Sequence, residues 1–149
     1  VKIVITVGLA GAGKSTYLAK LGVNAISSDE MRRLLADDPS DQSIHRRVFA
    51  AVRYLVRERL ALGRPETYVD ATNLTRWERR QYIQLGQLYD AEVEAIFFDV
   101  PVEICIQRNA GRPRTVPEQV VREMAERLQP PHVGEGLARL TVIGPTASP

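Results

Sequence analysis

One cysteine, Cys105, among 149 residues allows no internal disulfide, which excludes a disulfide-stapled secreted scaffold. A reducing, cytoplasmic setting is therefore expected, with Cys105 packing in a helix rather than acting as a nucleophile. No apolar run approaches the roughly 20 residues needed to cross a bilayer, so no membrane partner is expected. The N-terminal run Lys2 to Val7 is also too short for a secretory leader. Lysine is nearly missing: apart from Lys2, Lys14 and Lys20, arginine carries the positive charge. Codon bias is the weightier explanation, and a preference for bidentate phosphate contacts is the other. A net charge of +2 and a pI near 8.9 fall short of the basic balance of a protein that coats nucleic acid. Internal repeats and low-complexity linkers are absent as well. The chain opens on Val1 rather than Met, which suits removal of an initiator and excision from a longer polypeptide equally.

With 44% hydrophobic and 26% charged residues, the composition is that of an ordinary globular protein, and the length suits one domain over residues 1–149. Apolar runs alternate with helical periodicity, which predicts an α/β fold with a parallel sheet of about five strands flanked by helices. The expected strands are Lys2 to Val7, Val23 to Ser27, Thr67 to Asp70, Val93 to Val100 and Leu140 to Ile143. Pro130 to Gly136 reads as a loop before the last strand, and the tail from Gly144 to Pro149 as a frayed end.

The first strand runs into Gly8-Leu9-Ala10-Gly11-Ala12-Gly13-Lys14-Ser15-Thr16, which matches G-x-x-x-x-G-K-[ST] in its required strand-to-helix context. Glycines at Gly8, Gly11 and Gly13 let the backbone N–H groups through Ala12 and Thr16 close around phosphates. Lys14 then neutralises the outer oxygens, Ser15 ligates Mg²⁺, and the next helix points its positive end at the same anion. A nucleoside triphosphate, with ATP as phosphate donor, is the expected ligand.

In parallel sheets ligands sit beyond the carboxyl ends of the strands, so the residues just past each strand are the candidates for chemistry. After the second strand, Asp29 and Arg32 stand three apart, on one face of a helix running to Ala36. Asp29 there can take the proton of an attacking hydroxyl while Arg32 aligns the acceptor; the plainer reading makes Asp29 and Ser28 helix caps. After the third strand, Asp70 can hold a metal, directly or through a water, and Thr72 and Asn73 can cap the next helix. Trp77 on that helix is read as packing against the core rather than stacking on a base. After the fourth strand, Arg108, Arg112 and Arg114, in a segment with Gly111, Pro113 and Pro117, look like a mobile arginine-bearing lid over residues 108–117. An exposed basic loop is the alternative. Arg46, Arg53 and Arg57 fall on one face of a helix expected from Asp41 to Leu62; that face reads as solvated, with a path for a polyanion as the second reading.

Together these pieces resemble the P-loop polynucleotide 5′-kinases, including the phage enzyme and the kinase domain of bacterial RNA end-healing and ligation enzymes. The resemblance runs from Ile3 to about Leu128. It is carried by Gly8 to Thr16, Ile26 to Asp29 with Arg32, Asp37 to Gln42, Val69 to Asn73, Phe98 to Pro101, Gln107 to Asn109 and Val116-Pro117. It implies a P-loop kinase fold and ATP-dependent phosphoryl transfer to a 5′-hydroxyl nucleic-acid end, DNA or RNA. Asp29 would be the general base and Arg32 would hold the acceptor end beside Asp70. Lys14 and Ser15 would handle the donor phosphates and Mg²⁺, while Arg108 and Arg112 would reach the donor from the lid, with Arg114 the alternative to Arg112. Neither the D-x-D-x-T phosphatase pattern nor the K-x-D-G ligase pattern occurs, so a phosphatase or ligase partner would act in trans or from a longer polypeptide. Two other classes fit the same donor machinery: a small-molecule or nucleoside kinase, including toxin-like kinases, and a non-catalytic nucleotide-binding switch.

Overall fold

A computed structural model describes residues 1–113 and 116–144. Five strands, β1 (Lys2–Val7), β2 (Ala25–Ser27), β3 (Glu66–Asp70), β4 (Glu92–Phe98) and β5 (Arg139–Ile143), form one sheet in the order β2-β3-β1-β4-β5. All four pairings are parallel. Strand β1 lies at the centre, and its residues from Ile3 to Val7 are each at most 3% exposed. Burial on both faces is why the strand reads as a continuous apolar run. Alternation then sorts it: Ile3, Ile5 and Val7 pack with Val52, Val56 and Tyr82, whereas Val4 packs with Leu9, Ile96 and Phe98 on the opposite face.

The helices are α1 (Lys14–Leu21), α2 (Ser28–Ala36), α3 (His45–Ala61), α4 (Arg76–Tyr89), α5 (Val102–Ala110) and α6 (Glu118–Arg127). Val48, Val52, Val56 and Leu60 recur every four residues along α3 and are all buried, which seats the helix on the sheet. The expected start at Asp41 is corrected to His45. The Oδ1 atom of Asp41 accepts from the Ser43 backbone N–H at 2.8 Å and hydroxyl at 2.6 Å, a local turn that competes with the helix. Strand β2 also starts two residues later than expected, because the Val23 N–H still bonds back to Leu18 O at the end of α1. The expected loop before β5 contains one short 3₁₀ turn, Val133–Glu135.

Three further expectations are corrected. Ser27, not Ser28 or Asp29, caps α2 by accepting from the Glu30 N–H. Thr75 caps α4 in a reciprocal box with Glu78, so Thr72 and Asn73 do not. Trp77 is 69% exposed rather than packed in the core. Cys105, by contrast, is fully buried in α5 as expected. Among the described residues no helix is long and apolar enough to cross a membrane.

Past Ile5 and Val69 the β1–β3 register ends, and side chains continue the connection. The Thr6 hydroxyl donates to Ala71 O at 2.7 Å and accepts from Ala71 N–H at 3.1 Å. Asn73, fully buried at a φ of 43°, donates from Nδ2 to Thr6 O at 2.9 Å. These bonds lock the loops after β1 and β3 together at the carboxyl edge of the sheet. Behind them Arg79, without exposed surface, donates to Asn73 O, Leu74 O and Gln129 O and pairs with the buried Glu135 at 2.9 Å. Losing one partner of such a buried pair typically costs about 3–5 kcal/mol.

Candidate active site

Gly11 and Gly13 take φ values of 85° and 96°, a region that favours glycine. A side chain at Gly11 would place its Cβ 2.5 Å from Cys105 O, so α5 can lie against the loop only over a bare backbone. Gly13 is the N-cap of α1, and the positive end of that helix opens on the loop. Buried Gly8 and Ala12 shape the loop from within; Thr16 is exposed on α1 and does not line the cavity described below.

The Lys14 ammonium is folded onto the loop, where Nζ donates to Gly8 O at 3.0 Å and Leu9 O at 2.7 Å. Burial lowers its pKa from 10.5 to about 8, with Asp70 opposing the shift. The Ser15 hydroxyl donates to Asp70 Oδ2 at 2.7 Å, bringing together the two hard oxygens that the sequence nominated for a metal. Among the described residues no cluster of three or more His, Cys, Asp or Glu forms that could hold a metal. Two protein oxygens suit Mg²⁺, which keeps most of its shell as water and substrate phosphate.

A cavity of about 500 Å³ opens beside this loop and is lined by Gly11, Gly13, Lys14, Ser15 and Asp70 on one side. Asp29 and Arg32 line the other, followed by His45 and Phe49 from the start of α3. Arg32 is only 4% exposed, donates from Nη1 to Asp29 Oδ1 at 3.2 Å, and leaves Nε buried without a hydrogen-bond partner. The Asp29 side chain is 61% exposed, so its carboxylate stands at the mouth while the guanidinium is held inside. Burial also lowers the His45 pKa, with Arg32 adding to the effect. Glu78, Val116, Val120, Met124 and Arg127 also line the cavity, with Val116 and Met124 packed on the cluster that holds Leu9 and Ala12 of the loop.

Arg112 lines the same cavity, far from Arg32 along the chain. Arg108 sits in the last turn of α5, so residues 108–110 are helix rather than loop, and the expected lid boundary is corrected accordingly. From there Arg108 Nη1 reaches Ala12 O at a long 3.4 Å. Arg114 lies outside the described residues. Buried Asn109 joins the two ends of the segment: its amide Nδ2 donates to Val116 O, and its Oδ1 accepts from Val116 N–H at 3.2 Å.

Sequence reasoning did not single out His45, Phe49, Glu78, Met124 or Arg127. Each lies far along the chain from the phosphate loop, and only the packing of α3, α4 and α6 gathers them. The capping-box spacing Thr75-x-x-Glu78 was the one local signal.

The chain is similar to the L-seryl-tRNA(Sec) kinase of Methanococcus maripaludis, with 23% identity over 136 residues covering 87% of this chain and 53% of that protein. It thus spans about half the length of that curated relative. Among solved structures it resembles a chain of the Pnkp1/Rnl/Hen1 RNA repair complex, with a TM-score of 0.72 and 24% identity over 86% of this chain and 44% of that one. It also resembles a gluconokinase from Sinorhizobium meliloti 1021, with a TM-score of 0.64 and 17% identity over 96% of this chain and 82% of that one. The fold is that of the P-loop kinases. A family model described as an AAA domain, AAA_33, matches residues 3–131, and the chain belongs to that family.

Proposed function

We propose that the domain transfers the γ-phosphoryl group of ATP to the 5′-hydroxyl end of a polynucleotide. The observation that carries this reading is Arg32: a guanidinium buried to 4% exposure, with Nε unpartnered, behind an exposed carboxylate at the cavity mouth. A buried cation with spare donor capacity favours an anionic ligand, and a phosphate next to the reactive hydroxyl meets a guanidinium in a bidentate fork.

In this reading Asp29 takes the proton of the acceptor hydroxyl as its oxygen bonds to the γ-phosphorus, and the bond to the bridging oxygen breaks to release ADP. Lys14 leaves the loop carbonyls for the phosphate oxygens, and Arg112, in a lid with Arg108 at its base, faces the charge that spreads on the transferring group. Ser15 and Asp70 would hold Mg²⁺, which when bound would neutralise part of the phosphate charge.

The cavity size also suits a second acceptor class. About 500 Å³ lies within the range of small-molecule sites, and Val116, Val120 and Met124 add apolar lining. Incubation with γ-labelled ATP, Mg²⁺ and either 5′-hydroxyl oligonucleotides or a panel of sugars, nucleosides and amino-acyl alcohols separates the two. We expect label on oligonucleotides and on nucleoside 3′-monophosphates and little on plain nucleosides. Label confined to a neutral small molecule overturns the polynucleotide assignment.

A further inference from the structure

The cavity reaches Glu78, in the first turn of α4, and the residue before it is Trp77, the only tryptophan in the chain. An indole 69% exposed, on a helix whose opposite side buries Arg79 completely, contributes little to the fold. Arg76 and Arg80 flank it, both exposed and four residues apart. Among the described residues neither has a carboxylate within ion-pair distance; Glu78 is taken by Arg127 at 3.5 Å. Two like charges at this spacing repel, and Arg76, the first residue of the helix, sits at the positive end of its dipole, where an anion is favoured and a cation is not. Two electrostatic costs are therefore borne at the start of α4, whose Glu78 lines the cavity.

The composition of the turn favours one occupant. A protein-binding patch would need contiguous apolar surface, but the residues that share this face within the next two turns are Arg80, Gln81 and Gln84, and Leu88 is the next exposed aliphatic. Trp77 offers a π-face for one base, and Arg76 and Arg80, which i,i+4 spacing puts together on one side of it, offer two guanidinium groups for the phosphates next to that base.

We propose that a single-stranded acceptor leaving the cavity crosses the first turns of α4, with one base stacked on Trp77 and the neighbouring phosphates on Arg76 and Arg80. This rests on the polynucleotide reading above and extends it to a second contact that sets the preferred length of the acceptor.

Because Trp77 is the sole tryptophan, emission from the whole domain reports on this one ring. A 5′-hydroxyl oligonucleotide of about ten nucleotides is expected to quench it, whereas MgATP or a nucleoside 3′-monophosphate is too short to do so. Trp77→Ala should raise KM for the oligonucleotide by roughly tenfold at unchanged kcat and leave KM for the monophosphate alone, and Trp77→Phe should recover most of the loss. The double variant Arg76→Ala/Arg80→Ala should flatten the slope of log KM against log salt by about 1.4, the loss of two single-strand phosphate contacts. An unquenched indole, an oligonucleotide KM indifferent to Trp77→Ala, or equal quenching by polyglutamate overturns the proposal. Label on oligonucleotides without quenching would remove this surface and leave the 5′-kinase reading standing. Quenching by oligonucleotides that never become labelled would show a nucleic-acid contact at Trp77 but overturn its place on an acceptor path together with the 5′-kinase reading.

Discussion

The two walls of the cavity are built by different means. The side proposed for the donor is built around one contiguous loop, Gly8 to Ser15, whose backbone shape is dictated by Gly11 and Gly13 and to which Asp70 is joined through Ser15. The side proposed for the acceptor is assembled from cavity-lining side chains on α2, α3, α4 and α6, separated by up to about a hundred residues of chain. A backbone cradle recognises what all triphosphates share, so it can stay the same while side chains opposite it change the acceptor. On the proposed reading, that division lets one fold serve proteins whose names point to tRNA, RNA-repair and sugar substrates.

The comparison breaks most severely at the chemistry. Lys14→Ala should lower kcat by about a hundredfold or more for every acceptor, because one lost donor to the developing charge has a cost of that order. A loss confined to one acceptor would place Lys14 on the wrong wall. Asp29→Asn should reduce transfer by about 10²–10⁴-fold while ATP binding, followed by calorimetry, is unchanged. Since Ser27 holds the cap of α2, this variant leaves the cap in place, and thermal melts beside the kinetics separate proton transfer from the loss of the Arg32 ion pair.

Smaller effects sharpen the division. Arg32→Ala should raise acceptor KM by roughly tenfold to a hundredfold, the worth of a charge-assisted bond, with KM for ATP little altered. Steady-state kinetics with both substrates varied would show it, and an equal rise in both constants would merge the walls. Arg112→Ala should act on kcat more than on ATP affinity.

The smallest expected effect is a pH dependence of the donor wall alone. Free Lys14 loses its proton near pH 8, below its ordinary 10.5, because burial disfavours the charge. Phosphates need the ammonium, so ATP binding above about pH 8 must take up a proton, and affinity should fall by up to tenfold per pH unit. In the ligand-free domain the sign is opposite. The unfolded chain binds the extra proton between about pH 8 and 10.5, so this group adds stability as pH rises through that window. Lys14→Met should abolish both trends in calorimetric titrations and thermal melts.

Much of this was readable from local pattern. All five strands lie within two residues of where alternation and apolar runs place them, and the phosphate loop stands where its motif demands. The differences arise where local chemistry competes: Asp41 and Ser43 hold back the start of α3, and helix α5 continues through Arg108 into what reads as loop. Asp29 and Arg32 share a face and a hydrogen bond, as a spacing of three requires. That Arg32 would be the buried partner and Asp29 the exposed one is not visible in the spacing.

Sequence alone determined the five strand segments, the phosphate loop and the pairing of groups within one turn, because these depend on periods of two to four residues and on the conformational freedom of glycine, while the strand order came from the tertiary structure. Tertiary structure decided which cations are hidden. Adjacent Arg79 and Arg80 look alike in the chain, yet one is sealed against Glu135 and the other faces solvent beside an exposed Trp77, since a helix turned by about 100° per residue presents them to different surroundings. The acceptor wall was likewise undecided until α3, α4 and α6 came together over the sheet, because contacts between residues tens of positions apart leave no periodic trace.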